Sequence, residues 1–193
     1  MARVTLSAAF AKRIKVVGLD VDGVLTDGGI YIGLVAHTPL EFKRFNVQDG
    51  LGIKLLRSAG LAVILVSARQ SEASEVRAEE LEVEALLQVP PDKKRPALAA
   101  ELEKRGLSFD QCAYVGDDLA DLPVLRSVAL PVAVANATDE VKRAAQFVTS
   151  ARGGWGAVRE VAERLLKARG EWKGLVARYF EAQDVAQRRT AAG

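Results

Sequence analysis

Two aspartates early in the sequence have the spacing of a nucleophile and its proton-transfer partner. Asp20 and Asp22 flank Val21, and Gly23 permits a sharp turn that lets both carboxylates face one ligand. A carboxylate can attack phosphorus and form an aspartyl-phosphate, which divides hydrolysis into two easier steps. A second acid can protonate the leaving oxygen and then activate water. We predict the first role for Asp20 and the second for Asp22.

Later positions would supply the charge and the hydrogen bonds that a phosphate requires. A carboxylate that approaches a phosphate needs a cation such as Mg²⁺ beside it, and Asp117 and Asp118 are the obvious partners to hold one. Lys93 can neutralise the phosphate, and the Ser67 hydroxyl can donate a hydrogen bond to it. The backbone N–H groups of Ser67 and Ala68 would complete the phosphate site.

Most of these groups follow an apolar run of the kind that forms a buried parallel strand. The runs cover residues 14–19, 61–66 and 112–115 and, Lys15 apart, become polar only at their carboxyl ends. Helical patterns alternate with them at 49–59, 71–81 and 96–105, and a shorter one at 139–146 separates strands predicted at 130–134 and 147–149. The alternation predicts a doubly wound, Rossmann-like α/β sheet of parallel strands, with the polar groups at its ligand-binding carboxyl edge.

Residues 28–47 do not fit this alternation. Two β-like runs, around 30–32 and 40–45, flank a turn and predict a hairpin that overhangs the carboxyl ends of the strands. No insertion is long enough to form a cap domain. We predict one domain over residues 1–193, with the hairpin flap at about 28–47 and a helical tail at about 157–190.

Composition and charge exclude several classes of protein. The formal net charge is +2, and no dense basic stripe interleaved with aromatic residues indicates a nucleic-acid partner. No apolar stretch approaches the roughly 20 residues that a membrane-spanning helix needs. The single cysteine, Cys112, excludes an internal disulfide and fits a reducing compartment. We therefore predict a cytoplasmic protein that binds neither nucleic acid nor membrane.

The motifs occur in a fixed order along the chain. They are Asp20-Val21-Asp22-Gly23-Val24-Leu25-Thr26-Asp27, then Ser67, then Lys93, then Gly116-Asp117-Asp118-Leu119-Ala120-Asp121. This set resembles the four motifs of the haloacid dehalogenase superfamily of phosphatases. Further runs at 45–50, 66–71, 114–124 and 153–160 are similar to those of its capless subfamily, the 3-deoxy-D-manno-octulosonate 8-phosphate phosphatases.

The resemblance implies a role for each matching position. Asp20 would be the nucleophile and a Mg²⁺ ligand, Asp22 the acid and base and a ligand through its carbonyl, and Asp117 the remaining ligand. It implies supporting roles for Asp118 and Asp121 and phosphate contacts from Ser67, Ala68 and Lys93. The implied sugar-acid contacts are Asn46, Val47, Gln48, Asp49, Gly50, Lys54, Arg69 and Arg77. It also implies a homotetramer assembled through the flap hairpins, in which a neighbour helps to close each site.

Three positions depart from the family pattern. Ala68 stands where glycine is usual, Lys54 stands where a substrate-facing arginine is common, and Trp155 stands where related enzymes often carry arginine. Lysine lacks the bidentate recognition of a carboxylate that arginine provides. The expected substrate is 3-deoxy-D-manno-octulosonate 8-phosphate, and Lys54 and Trp155 keep a nine-carbon, sialic-acid-type 9-phosphate open as an alternative.

Two alternatives belong to other functional classes. A response-regulator receiver also combines an acidic pair, a phosphorylated aspartate, a hydroxyl and a lysine on a doubly wound sheet. Receivers, however, place the acidic pair on the first strand and the acceptor on the third, the reverse of the order found here. A non-catalytic member of the phosphatase superfamily, for example a module that works with a sugar-nucleotide cytidylyltransferase, would be expected to lack a motif residue, yet all are present.

Overall fold

The polar groups predicted to do chemistry follow strands of a six-stranded parallel sheet. The computed structural model describes residues 6–179 and 181. Its strands are β1 (Val16–Asp20), β2 (Tyr31–Val35), β3 (Thr38–Phe42), β4 (Ala62–Ser67), β5 (Ala85–Gln88), β6 (Cys112–Gly116), β7 (Leu130–Ala133) and β8 (Phe147–Val148). The sheet has the order β5-β4-β1-β6-β7-β8, and β2 and β3 form a separate antiparallel pair.

Strand β1 lies where the direction of the chain through the sheet reverses. The chain passes from β1 to β4 and β5 on one side, and then crosses to β6, β7 and β8 on the other. Asp20 is level with Val66 of β4, and Leu19 is level with Val115 of β6. The carboxyl ends of these three strands therefore lie side by side at a topological switch point, where ligands bind in open α/β sheets.

Helices cover the sheet in two groups. They are α1 (Ala8–Arg13), α2 (Val47–Ser58), α3 (Glu72–Glu80), α4 (Lys94–Lys104), α5 (Leu122–Leu125), α6 (Asp139–Ala144) and α7 (Ala157–Arg169). Helix α7 packs against α1 and α2, whereas α5 packs against α4 and α6. Amphipathic α7 buries its apolar stripe, including Val158, Leu165 and Leu166.

This architecture confirms the predicted fold class, with two differences of detail. Helix α4 begins at Lys94, two residues before the predicted start, because Pro96 is tolerated in a first turn where its missing N–H is not needed. Strand β5 was not predicted. It has four residues, lies at the edge of the sheet and is half-buried along its length. Its apolar run, Ala85-Leu86-Leu87, is too short to distinguish a strand from a helical segment by pattern alone.

The predicted hairpin is present as β2 and β3. Val35 pairs with Thr38, and the two residues between them, Ala36 and His37, both have positive φ, as a type I′ hairpin turn requires. Most of its apolar side chains face outward, and an isolated bridge between Thr26 and Phe45 closes the base of the hairpin.

The carboxyl-terminal helical pattern is divided in two. Helix α7 ends at Gly170, which has a φ of +78°, and a further helix covers 172–179. The predicted tail runs to about 190, and its residues 180 and 182–190 lie outside the described residues; the single-domain assignment stays a prediction. Within residues 6–179 and 181, none of the helices has the length and hydropathy needed to cross a membrane.

Cys112 begins β6 in the middle of the sheet. It is fully buried, and burial raises the pKa of its thiol to about 12. The thiol therefore stays protonated and packs as a small apolar group.

Candidate active site

Asp20 ends β1 in a buried position, 5% exposed, beside a lysine. The ammonium of Lys94 donates to Asp20 Oδ1 at 2.7 Å and to Asp121 Oδ1 at 2.9 Å. Burial raises the pKa of Asp20, and the Asp121 carboxylate adds to this effect while Lys94 opposes it. Burial acts to lower the pKa of Lys94, but the two carboxylates raise it overall. The lysine therefore stays charged between two acids.

Lys94, and not the predicted Lys93, is the lysine of this site. The Lys93 side chain is 63% exposed and pairs with Asp92 at 3.3 Å, whereas the Lys94 side chain is 3% exposed. A single 3₁₀ turn, Pro91–Lys93, passes directly into α4. Because successive residues of a helix point about 100° apart, only one of two adjacent lysines can reach the strand ends.

Asp117 follows β6 and completes an acidic cluster. Carboxylate oxygens of Asp20, Asp117 and Asp121 lie within 4.8 Å of one another. Burial and the neighbouring Asp121 raise the pKa of Asp117 to about 6. Asp117 Oδ1 is buried and has no hydrogen-bond partner among the described residues. Three acids around one ammonium leave an excess of negative charge, and an unpartnered carboxylate oxygen there fits a hard divalent cation such as Mg²⁺.

Both carboxylate oxygens of Asp121 accept hydrogen bonds from other groups of the protein. Its Oδ1 accepts from the Tyr114 hydroxyl at 2.8 Å as well as from Lys94, and its Oδ2 accepts from the N–H groups of Asp117 at 3.0 Å and Asp118 at 3.4 Å. These bonds fix the loop that carries Asp117. The Asp118 carboxylate accepts from the N–H of Leu119 at 2.7 Å and so serves the turn. Both residues therefore hydrogen-bond to the backbone that follows β6.

Backbone turns bring the acids together. Residues Val21–Leu25 form one wide turn closed by the Thr26 N–H on the Val21 carbonyl at 2.9 Å. Gly23 has a φ of +97°, and a Cβ there would overlap the Asp117 carboxylate. The glycine is therefore required both by its conformation and by the close approach of the acid.

Asp22 is held from two sides. The Ser67 hydroxyl, at the end of β4, lies 3.3 Å from Asp22 Oδ2 and also accepts from the Arg69 N–H at 3.0 Å. Lys43 lies 2.7 Å from Asp22 Oδ1. Sequence reasoning missed Lys43, although a basic pair, Lys43 and Arg44, at the end of an exposed apolar hairpin was a usable signal.

The residues expected to contact the sugar divide into those free to do so and those that are not. The Asp49 side chain was predicted to bind substrate, but it is buried and accepts from the N–H groups of Gly156 at 3.1 Å and Arg159 at 2.8 Å. Its carboxylate therefore caps the start of α7, although burial raises its pKa. The Asn46 side chain caps α2 by accepting from the N–H of Gln48 at 2.7 Å.

Two arginines flank the base of the hairpin. Arg69 pairs with Glu41 of β3 at 2.7 Å, and its side chain is 43% exposed. Arg77 of α3 pairs with Glu80 at 2.7 Å, and its buried Nε has no partner within the described part of the chain. A Cβ at Gly50 would press on this guanidinium, so Gly50 makes room for Arg77. The remaining predicted contacts, Val47, Gln48 and Lys54, are exposed on α2, and Ala68 follows the end of β4.

The glycine-rich segment after β8 closes against the first loop. A Cβ at Gly153 would overlap the Gly23 carbonyl oxygen, and one at Gly154 would overlap the backbone of Thr26. Trp155 is 57% exposed, and the Arg44 guanidinium lies 3.6 Å from the centre of its ring and donates to the Gly154 carbonyl at 2.8 Å. This stack joins the hairpin to the glycine-rich segment.

Comparison with known proteins agrees with this geometry. A model of haloacid dehalogenase-like hydrolases matches residues 91–158. The 3-deoxy-D-manno-octulosonate 8-phosphate phosphatase of Escherichia coli (strain K12) is 42% identical over 163 residues, which cover 84% of this chain and 85% of the relative. The chain belongs to this family of phosphatases. The Yersinia pestis member is 40% identical over 166 residues, which cover 85% of this chain and 86% of the relative.

Solved structures of the family have the same fold. The Moraxella catarrhalis phosphatase, in complex with magnesium ion, phosphate ion and KDO, superposes with a TM-score of 0.83 at 36% identity and covers 89% of this chain and 97% of its own. The cobalt-bound Haemophilus influenzae phosphatase superposes with a TM-score of 0.76 at 38% identity. The match covers 83% of this chain and 91% of the Haemophilus chain. The chain is thus a haloacid dehalogenase-like hydrolase, which excludes the receiver.

Proposed function

We propose that this chain hydrolyses 3-deoxy-D-manno-octulosonate 8-phosphate to the free sugar acid and phosphate. The observation that carries the proposal is the buried Asp20 carboxylate, held by Lys94 at 2.7 Å beside the unpartnered oxygen of Asp117. Family membership at 42% identity over 84% of the chain supports the substrate class.

Asp20, Asp117 and the backbone carbonyl of Asp22 would hold Mg²⁺. When bound, Mg²⁺ offsets the negative charge of the nucleophile and the phosphate. Lys94 lies at 2.7 Å from the nucleophile, where it orients the Asp20 carboxylate and adds positive charge. The Ser67 hydroxyl and the N–H groups of the Ser67-Ala68 turn would donate to phosphate oxygens.

The reaction has two half-steps on these side chains. Asp20 attacks phosphorus while the bond to the sugar oxygen breaks, and Asp22 gives its proton to that oxygen. Asp22, now an anion, then takes a proton from water, and the resulting nucleophile attacks the aspartyl-phosphate. Phosphate leaves and the Asp20 carboxylate is regenerated.

Arg69 and Arg77 are the proposed partners of the sugar carboxylate. Both lie beside the base of the hairpin, and their guanidinium groups are paired with surface glutamates rather than with buried ones. The exposed Val47, Gln48 and Lys54 face outward from α2, which suits contact with a neighbouring subunit's site. A nine-carbon 9-phosphate is the second candidate substrate because Trp155 and Lys54 replace the arginines that related enzymes often carry at positions expected near the sugar.

We propose a homotetramer assembled through the hairpins. The outward apolar side chains include Ile32 at 72% exposure and Leu34 at 71%. Apolar patches of this kind are rarely left open to water. A cytoplasmic location is proposed on the single buried, unpaired cysteine.

A phosphate-release screen tests the function. Purified enzyme would be given octulosonate 8-phosphate, nine-carbon 9-phosphates and common sugar phosphates, with Mg²⁺ or with EDTA, and Asp20→Asn as the inactive control. We expect a kcat/KM preference for the octulosonate of at least about tenfold, which corresponds to roughly 1.4 kcal/mol in transition-state binding, and no turnover in EDTA. A smaller preference would overturn the sugar assignment, and turnover without metal would overturn the mechanism.

A further inference from the structure

Lys43 is a buried cation at the base of the hairpin. It follows β3 directly, and only 2% of its side chain is exposed. Its ammonium lies 2.7 Å from Asp22 Oδ1 and donates to Ser74 Oγ of α3 at 3.1 Å. Because a buried ammonium is costly unless it is paired, these two acceptors account for its position.

Different side chains contact the two carboxylate oxygens of Asp22. Lys43 holds Oδ1, while the Ser67 hydroxyl lies 3.3 Å from Oδ2. The carboxylate is thus fixed between the hairpin and the end of β4, yet its side chain is 26% exposed, compared with 7% for Asp20. Asp22 is the more accessible of the two acids, as a group that exchanges protons with a leaving group and with water must be.

We propose that Lys43 is a positioning residue for Asp22, an inference that rests on the proposed acid and base role of Asp22. When Asp22 gives its proton to the leaving oxygen, negative charge develops on a carboxylate that Lys43 already contacts. A preorganised cation at that point stabilises the transition state without reorganisation. The same contact holds the anion in place for the attack of water.

Substrates with different leaving groups test this role. A sugar alkoxide requires a proton as it leaves, whereas p-nitrophenolate does not. We expect Lys43→Met, similar in length but neutral, to lower kcat for the sugar phosphate by about 10²-fold, as for the loss of acid catalysis, with KM changed less than about threefold. The first-turnover burst of p-nitrophenol from p-nitrophenyl phosphate should fall far less, and Lys43→Arg should recover much of the loss.

A double-mutant cycle shows whether Lys43 acts through Asp22. In an Asp22→Asn background, Lys43→Met should have almost no further effect on steady-state hydrolysis. An equal loss in both backgrounds, or wild-type kcat in Lys43→Met, would overturn the proposal. Failure of the wild type to hydrolyse the octulosonate would defeat the proposed substrate instead, and the cycle would still be measured on p-nitrophenyl phosphate.

Two further variants control for folding. Lys104→Met removes a surface lysine that is 73% exposed and pairs with Glu101, and it should leave both substrates unaffected. If Lys43→Met does not give a wild-type circular-dichroism melt, Ser74→Ala removes the second acceptor of the ammonium and keeps both charges. It should show a smaller loss with the same dependence on the leaving group, and a loss equal for both substrates would contradict the proposal.

Discussion

The lysine in the acidic cluster has an identical neighbour in the sequence. Lys93 and Lys94 are the same residue type at adjacent positions, and a difference of one position in spacing could not distinguish them. The choice depends on where α4 begins, and helix starts are hard to place from sequence. The positions of Asp20, Ser67 and Asp117 at one edge of the sheet were predictable because each ends or directly follows an apolar strand.

This pair provides a matched test at the scale of one residue. We expect Lys94→Met to lower kcat by at least about 10²-fold, the usual effect of removing one preorganised donor from a charged site. Lys93→Met removes a side chain that is 63% exposed and should stay within about twofold of wild type. Steady-state kinetics at saturating Mg²⁺ would decide, with melting curves to confirm folding. A loss confined to Lys93→Met would contradict the assignment.

At the scale of elements, Asp49, which caps α7, is a second residue whose contacts differ from those expected from the sequence. Asp49 stands in a run with the right position for substrate contact, and its real partners, the N–H groups of Gly156 and Arg159, are more than 100 residues away in the chain. A contact of that range depends on how α2 packs against α7, which no local pattern indicates. Strand β5 was not predicted for a different reason, since its run of three apolar residues is too short to indicate a strand.

Asp49→Ala should therefore lower the stability of the fold more than it weakens substrate binding. Loss of a helix cap costs about 1–2 kcal/mol, which lowers the melting temperature by a few degrees in a chain of this size. Asp92→Ala, whose side chain is 71% exposed and pairs only with exposed Lys93 among the described residues, is the matched control and should melt like wild type. An unchanged melting temperature with a KM raised about tenfold would instead support the predicted contact between Asp49 and the substrate.

At the scale of the whole molecule, the exposed apolar hairpin is the surface through which we propose that copies associate. The six-stranded sheet could be predicted from its apolar runs, whereas the proposed assembly would depend on apolar side chains that this fold leaves exposed. Leu34 is 71% exposed on β2 and contributes to that surface.

Leu34→Glu should break the proposed homotetramer into smaller species, because burying an unpaired charge in an apolar interface costs several kcal/mol. Light scattering after gel filtration measures this directly. Val76→Glu, at an exposed apolar position of α3 with 66% exposure, is the control expected to keep the mass of the wild type. A wild-type mass for Leu34→Glu would place the interface elsewhere.

The buried thiol of Cys112 gives the molecule a practical property. It is the one cysteine of the sequence, and with a pKa of about 12 it offers almost no thiolate to maleimides or iodoacetamide at neutral pH. A cysteine introduced at the hairpin tip could then be labelled selectively in the otherwise native sequence. Spin or fluorescent probes placed there would report the separation of the hairpins between subunits of the proposed homotetramer, and their motion during turnover.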